Sequence, residues 1–188
     1  MKALTSVRYS GELTGENGPV ELDVRATSDS DCTGSVVVGG GRVEVLVKDG
    51  TNWFRPDGAF WRAPAPDQAD AIIAAVGDKW VVDSLARFTR FCDLEQFFDN
   101  SFPDAGEDGV VYVKAGTDEL DGQDVVRIRN RAEGGTSTGY VLVDEPHLLL
   151  RVERTEGDRP ARVEFSDFDE AFDVEAPAAD GVADLSGQ

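Results

Sequence analysis

Positive charge is scarce in this chain. Its 188 residues carry 18 Lys and Arg against 37 Asp and Glu, a formal net charge of −19. Such a surface repels phosphate backbones and anionic headgroups, and no basic stripe interrupts it, so nucleic acid is excluded as an expected partner. Histidine occurs once, as His147, and cysteine twice, as Cys32 and Cys92, without a CxxC pair. A Cys/His zinc site would therefore be short of ligands. Composition leaves two buried thiols and one disulfide equally open. Long apolar runs are missing too: Ala71 to Val76 and Val36 to Val38 fall far short of the roughly 20 residues of a membrane span. Met1-Lys2-Ala3-Leu4 lacks the apolar core of a signal peptide, although a strand is expected within about five residues of it. A chain that begins after a processed segment fits this better than an intracellular one.

The motifs of catalysis are also lacking. The one G-x-S-x-G string, Gly135-Thr136-Ser137-Thr138-Gly139, runs into the expected strand Thr136 to Val143 rather than a strand-to-helix turn, so it is no nucleophile elbow. Gly39-Gly40-Gly41 precedes neither a helix nor a lysine, so it is no phosphate loop. Asp29-Ser30-Asp31 and Asp167-Phe168-Asp169-Glu170 lack the glycine and the terminal glutamate of a calcium loop. His147 follows Glu145-Pro146 in an expected turn, without a nucleophile or an orienting partner, and reads as a solvated turn residue. The expectation is a non-enzyme with no catalytic residue, metal or cofactor.

The chain does contain 40% hydrophobic residues, enough for a real core. In its first third they alternate with period two. Val7, Tyr9 and Leu13, then Val20, Leu22, Val24 and Ala26, read as two strands around the turn Gly15-Glu16-Asn17-Gly18-Pro19. Cys32 to Val38 and Val43 to Val47 form a pair across Gly39-Gly40-Gly41, and Lys48-Asp49-Gly50 is a hairpin signal. Thr51 to Arg55 and Ala59 to Arg62 read as short strands around Pro56-Asp57-Gly58. At Pro64 the pattern turns helical. One helix opens at Pro66-Asp67 and ends at Gly77, with Ile72, Ile73 and Val76 on its apolar side. A second is expected from Asp83 or Ser84 to about Asn100, with Leu85, Phe88, Phe91, Cys92 and Phe98 at helical spacing. Strands resume at Val110 to Ala115, Gln123 to Arg129, Thr136 to Val143, Leu148 to Arg154 and Arg162 to Phe168. The expected fold is α+β: one large antiparallel sheet of ten or eleven strands with a helical insertion over about 66–102 and an acidic, extended tail over about 173–188.

Several segments, taken in order, resemble the LolA-like fold and, within it, actinobacterial lipoproteins of the LppX/LprG type. They are Ser6-Val7-Arg8-Tyr9-Ser10-Gly11, Asp31-Cys32-Thr33-Gly34, Phe60-Trp61-Arg62 as a short aromatic strand, Val143-Asp144-Glu145-Pro146-His147-Leu148-Leu149-Leu150-Arg151, and Val163-Glu164-Phe165-Ser166-Asp167-Phe168-Asp169-Glu170 followed by Val174-Glu175-Ala176-Pro177. The resemblance covers nearly the whole chain as a single domain, 1–188. It implies export, localisation at the cell envelope, and anchoring through a lipidated N-terminal cysteine, which does not precede the first strand here. It further implies a curved sheet, a half-open barrel whose concave face holds acyl chains and carries the two-helix insertion. In an exported protein Cys32 and Cys92 would pair. The implied function is to bind or carry an apolar ligand such as a lipid. The alternative is a ligandless interaction or sensory module that meets an envelope protein.

Five of the ten phenylalanines (Phe88, Phe91, Phe97, Phe98 and Phe102) fall in the helical insertion. Aromatic rings at helical spacing usually bury themselves, but in this fold a packed seam and a cavity wall merge. The candidate wall is Ile72, Ile73, Val76, Trp80, Leu85, Phe88, Phe91 and Phe98. Trp53, Trp61 and Trp80 flank the helices as rim or core residues.

Overall fold

The computed structural model describes residues 4–15, 18–63, 66–84, 87, 89–101, 111–132, 135–157 and 159–183. Five strands come first: β1 (Ser6–Gly15), β2 (Gly18–Thr27), β3 (Cys32–Val38), β4 (Gly41–Lys48) and β5 (Thr51–Pro56). The helices α1 (Gly58–Arg62), α2 (Pro66–Val76) and α3 (Leu94–Ser101) follow, with the two-residue strand β6 (Val81–Val82) after α2. Five more strands close the chain: β7 (Val111–Leu120), β8 (Gln123–Ala132), β9 (Gly135–Leu142), β10 (Leu149–Arg154) and β11 (Ala161–Ser166). They form one antiparallel sheet in the order β6-β5-β4-β3-β2-β1-β11-β10-β9-β8-β7. Two meanders are thus joined where β1 meets β11, and the sheet stays open, with β6 and β7 at its edges. This is the α+β architecture expected from the alternation.

Two-residue turns set the registers. Gly39 and Gly40 have φ of 60° and 80°, Asp49 and Gly50 of 49° and 74°. Positive φ at both central residues matches the twist of antiparallel strands. Alternation then divides the two faces. Tyr9 lies opposite Val24 and Phe165, Val24 opposite Gly34, and Gly34 opposite Val45, so one apolar row crosses five strands. Tyr9, Val24 and Val45 are each 0% exposed. Their sequence neighbours Arg8, Arg25 and Glu44 point to the other face, which is polar.

Helices and core meet on the apolar, inner face. Cys32 of β3 forms a disulfide with Cys92, at a Cα–Cα distance of 5.4 Å. Both sulfurs lie in the core, with the residues 0% and 2% exposed. Beyond the bridge, Phe97 of α3 stacks on Tyr9 at 4.8 Å between centroids, and Phe98 lies 5.7 Å from Phe165. Burial, and secondarily the charge of Asp93, push the Tyr9 phenol above its ordinary pKa.

Two local expectations are corrected. The expected strand Ala59 to Arg62, including Phe60-Trp61-Arg62, is the helix α1. Asp57 caps it, its Oδ1 accepting from Phe60 N at 2.8 Å, so Pro56-Asp57-Gly58 is a helix start rather than a hairpin turn. The expected helix from Asp83 or Ser84 to Asn100 is only α3, preceded by a single 3-10 turn at Arg90–Cys92. Ser84, Arg87 and Thr89 lie in turns. The extended Asp93 interrupts the run and accepts from Gln96 N at 2.9 Å, capping a fresh helix. Within 66–102 the described residues carry two α-helices, α2 and α3, as expected, and α1 precedes them. Helix α2 ends as expected, Gly77 N–H donating to Ile73 O at 2.8 Å with φ of 59°. The described part of the tail, to residue 183, is tied to the insertion: Trp80 N donates to Gly181 O at 2.9 Å, and Ala183 N to Trp80 O at 2.8 Å.

Candidate functional site

The described helices pack on the β1–β5 and β11 part of the inner face, while the inner face of β7–β10 holds a pocket of about 220 Å³. The local sequence explains why space remains. Inward positions of β9 are Gly135, Ser137, Gly139 and Val141, small side chains where the other meander carries valines, Leu22 and Tyr9. A Cβ built on Gly139 would lie 3.2 Å from Leu149 Cδ1. A register shift between Leu149 and Arg151 then brings both Leu149 and Val152 to the inner face, opposite Val141 and Gly139. Ile128 completes the apolar floor.

The two ends of the pocket differ. At one end is His147, in the loop that follows the cis Glu145–Pro146 bond. Its φ is 55° and its Nδ1 lies 3.3 Å from Leu142 O. It is the exposed turn residue that the sequence suggests, and it also lines the rim. At the other end Asn130, Ser137 and Arg154 are cross-strand partners on β8, β9 and β10. Asn130 is 8% exposed and its carboxamide makes no hydrogen bond to a described residue. Arg154 donates from Nε to Ser137 Oγ at 3.2 Å, and no carboxylate among the described residues pairs with it. Beyond Arg154 an open depression of about 640 Å³ runs past Leu13, Pro19 and Ala161, with Glu12, Glu153 and Arg162 along its edge.

The opposite face of the same strands is braced by charge. Arg151 reaches Glu164 at 2.9 Å and Arg162 reaches it at 2.8 Å. The hydrogen bond from Arg162 holds the Glu164 carboxyl below its ordinary pKa. Tyr140 donates to Glu153 Oε2 at 3.1 Å. Burial first, then that carboxylate, push the Tyr140 phenol up.

None of the expected wall residues whose side chains are described lines this pocket. Phe98 is core and Phe91 packs against it. Val76 is buried, and Ile72 and Ile73 are half-buried on α2. Trp80 sits on the opposite face, under the Arg55 guanidinium at 4.7 Å, in a depression of about 510 Å³ with Arg8, Asp23 and Arg25. Leu85 and Phe88 lie outside the described residues, as does Phe102. Density of phenylalanine pointed to the filled part of the inner face. The signal for the open part is the run of small inward residues in Gly135-Thr136-Ser137-Thr138-Gly139. No group of three or more His, Cys, Asp or Glu side chains among the described residues is placed to hold a metal ion.

No protein-family model matches the chain, and no curated protein sequence does. Solved structures do. The chain is similar to the lipoprotein LppX of Mycobacterium tuberculosis at a TM-score of 0.59 and 16% identity, over 93% of this chain and 91% of that one. It is similar to LprF of Mycobacterium bovis at a TM-score of 0.58 and 14% identity, over 95% and 91% of the two chains. At nine-tenths coverage of both partners, these likenesses establish that the chain has the LolA-like fold of LppX and LprF.

Proposed function

We propose that this chain is an exported cell-envelope protein that binds an apolar ligand, such as a segment of lipid, on the inner face of β7–β10. One observation carries the reading. The face that is core under the helices continues across β7–β10 as an apolar floor of Ile128, Gly139, Val141, Leu149 and Val152 around an open pocket. Apolar surface left accessible beside a core marks a binding site. The likeness in fold to a lipoprotein supports the envelope location. Ser137 and His147 lie at opposite ends of the pocket, the one bonded to Arg154 and the other beside Leu142 O, and this favours binding over turnover.

The size of the pocket favours a second reading. At about 220 Å³ it is smaller than the roughly 300–1,000 Å³ of drug-sized ligand sites. The aromatic seam of Tyr9, Phe97, Phe98 and Phe165 fills the rest of the inner face. An interaction module with a nearly filled cavity has these same features. Titration with the neutral fluorophore Nile red separates the two. Saturable binding that Gly139→Leu abolishes, with the far-UV dichroism kept, supports a ligand site. Absence of saturable binding in the wild type moves the assignment to the interaction module.

A further inference from the structure

Arg154 occupies an inward position of β10, on the face that carries Ile128, Gly139, Val141 and Val152. It lies opposite Ser137 on one side and Ala161 on the other. In a chain of net charge −19, several arginines on the outer face pair with carboxylates: Arg8 with Asp23, Arg25 with Asp167, Arg55 with Glu44, and Arg151 with Glu164. Arg154 has a neutral partner instead, the Ser137 hydroxyl, which engages only Nε. The two terminal nitrogens keep their donors, the fork that matches a carboxylate or phosphate.

The neighbouring row adds to this. Asn130, opposite Ser137, is 8% exposed, lines the pocket, and has no hydrogen-bond partner among the described residues. Its carboxamide is accessible from the pocket, where a ligand or water can complete its hydrogen bonds. Strands lie about 4.8 Å apart, so Asn130, Ser137 and Arg154 span roughly 10 Å across three strands. The next rows inward carry Ile128, Gly139 and Val152, then Val141 and Leu149, with Lys114 opposite Ile128 on the edge strand β7. One end of the pocket is therefore polar, with Asn130 and Ser137, its floor is apolar, and Arg154 stands beside that end as a lining residue of the neighbouring depression of about 640 Å³. Glu12, Glu153 and Arg162 border that depression, but alternation directs all three to the outer face, where Glu153 is engaged by Tyr140.

Resting on the apolar-ligand reading, we propose that the ligand is a single-chain anionic amphiphile. Its carboxylate or phosphate head sits on Arg154 and Asn130, and its chain lies across Gly139 toward Leu149.

The test displaces Nile red from the full chain with decanoate, decyl phosphate or decanol, each below its micelle concentration. Both anions should compete about tenfold better than decanol, the scale of one charge-assisted hydrogen-bond pair. Arg154→Gln should bring the anions to the level of decanol, while Arg154→Lys should keep a preference. A difference between decanoate and decyl phosphate identifies the head as carboxylate or phosphate. Ser137→Ala, which frees the Arg154 side chain, should narrow the preference independently, and far-UV dichroism checks each variant. Decanol competing as well as the anions, or a preference that survives Arg154→Gln, overturns the headgroup assignment and leaves the apolar site standing. A wild type that takes up no Nile red overturns the site itself.

Discussion

Removing the Cys32–Cys92 bridge should weaken the fold by an amount the structure sets. The bonded cysteines are 60 residues apart in sequence, and in the chain-entropy model a loop of that length is worth about 4 kcal/mol. For a chain of this size, about 4 kcal/mol corresponds to roughly 10 °C in Tm. The bridge also has a local task, because it joins β3 to the short turn leading into α3, whose Phe97 and Phe98 cover Tyr9 and Phe165. Cys32→Ala/Cys92→Ala should therefore melt about 10 °C lower and, below its Tm, bind an environment-sensitive dye such as anilinonaphthalene sulfonate more strongly than the wild type. Calorimetry and dye fluorescence read the two effects. A double variant that melts within about 2 °C of the wild type would refute the reasoning, since a 60-residue closure that changes nothing implies an unfolded chain already held together there.

Phe98→Ala should cost about 3–5 kcal/mol in chemical denaturation, because an 8%-exposed ring leaves a cavity against Phe165; a loss below about 1 kcal/mol would place Phe98 outside the core. Gly41→Ala should cost about 1–3 kcal/mol, since its Cβ would fall 2.2 Å from Phe60 N and force α1 away from β4. Arg8 and Asp23 are exposed by 40% and 50%, so a double-mutant cycle on them should give a coupling below about 1 kcal/mol. The hydrogen bond from Arg8 lowers the Asp23 pKa below 3.8. A depressed folded value stabilises above the unfolded value and loses that contribution as pH falls through the folded one. The Tm difference between wild type and Asp23→Asn should accordingly hold from neutral pH down to about 5 and shrink below about 4. A difference that grows on acidification would refute the pairing.

Much of the fold was legible because sheet formation is governed by a period of two. Val7, Tyr9, Val20, Leu22, Val24, Val43, Val45 and Val47 alternate with polar residues, and a strand that buries one face can hardly take another register. The hairpin turns were legible through Gly39-Gly40 and Asp49-Gly50, whose positive φ few other residues tolerate. Helix α2 could be read from Pro66 and Gly77, which punctuate it chemically. Helix α1 could not, because Asp57 is equally suited to a turn and to a cap. The choice was made where the chain met β4, at the close approach of Phe60 to Gly41. Asp93 posed the same ambiguity inside an otherwise helical stripe, and there the cap prevailed.

The sequence by itself determined the strand-rich architecture, the two faces of each strand, the acidic surface and the pair of cysteines available to cross-link. Each follows from local chemistry repeated along the chain. Tertiary structure alone decided that Phe91, Phe97 and Phe98 pack into the core on one part of the inner face, away from the pocket on β7–β10. That depends on which strands the helices reach, and β1 pairs with β11 across more than 140 residues, as in Tyr9 opposite Phe165. The row Asn130–Ser137–Arg154 arises in the same way. Three residues from three strands become one polar edge only when hairpin registers align them. A row across a sheet has no periodicity along the chain by which a sequence could announce it.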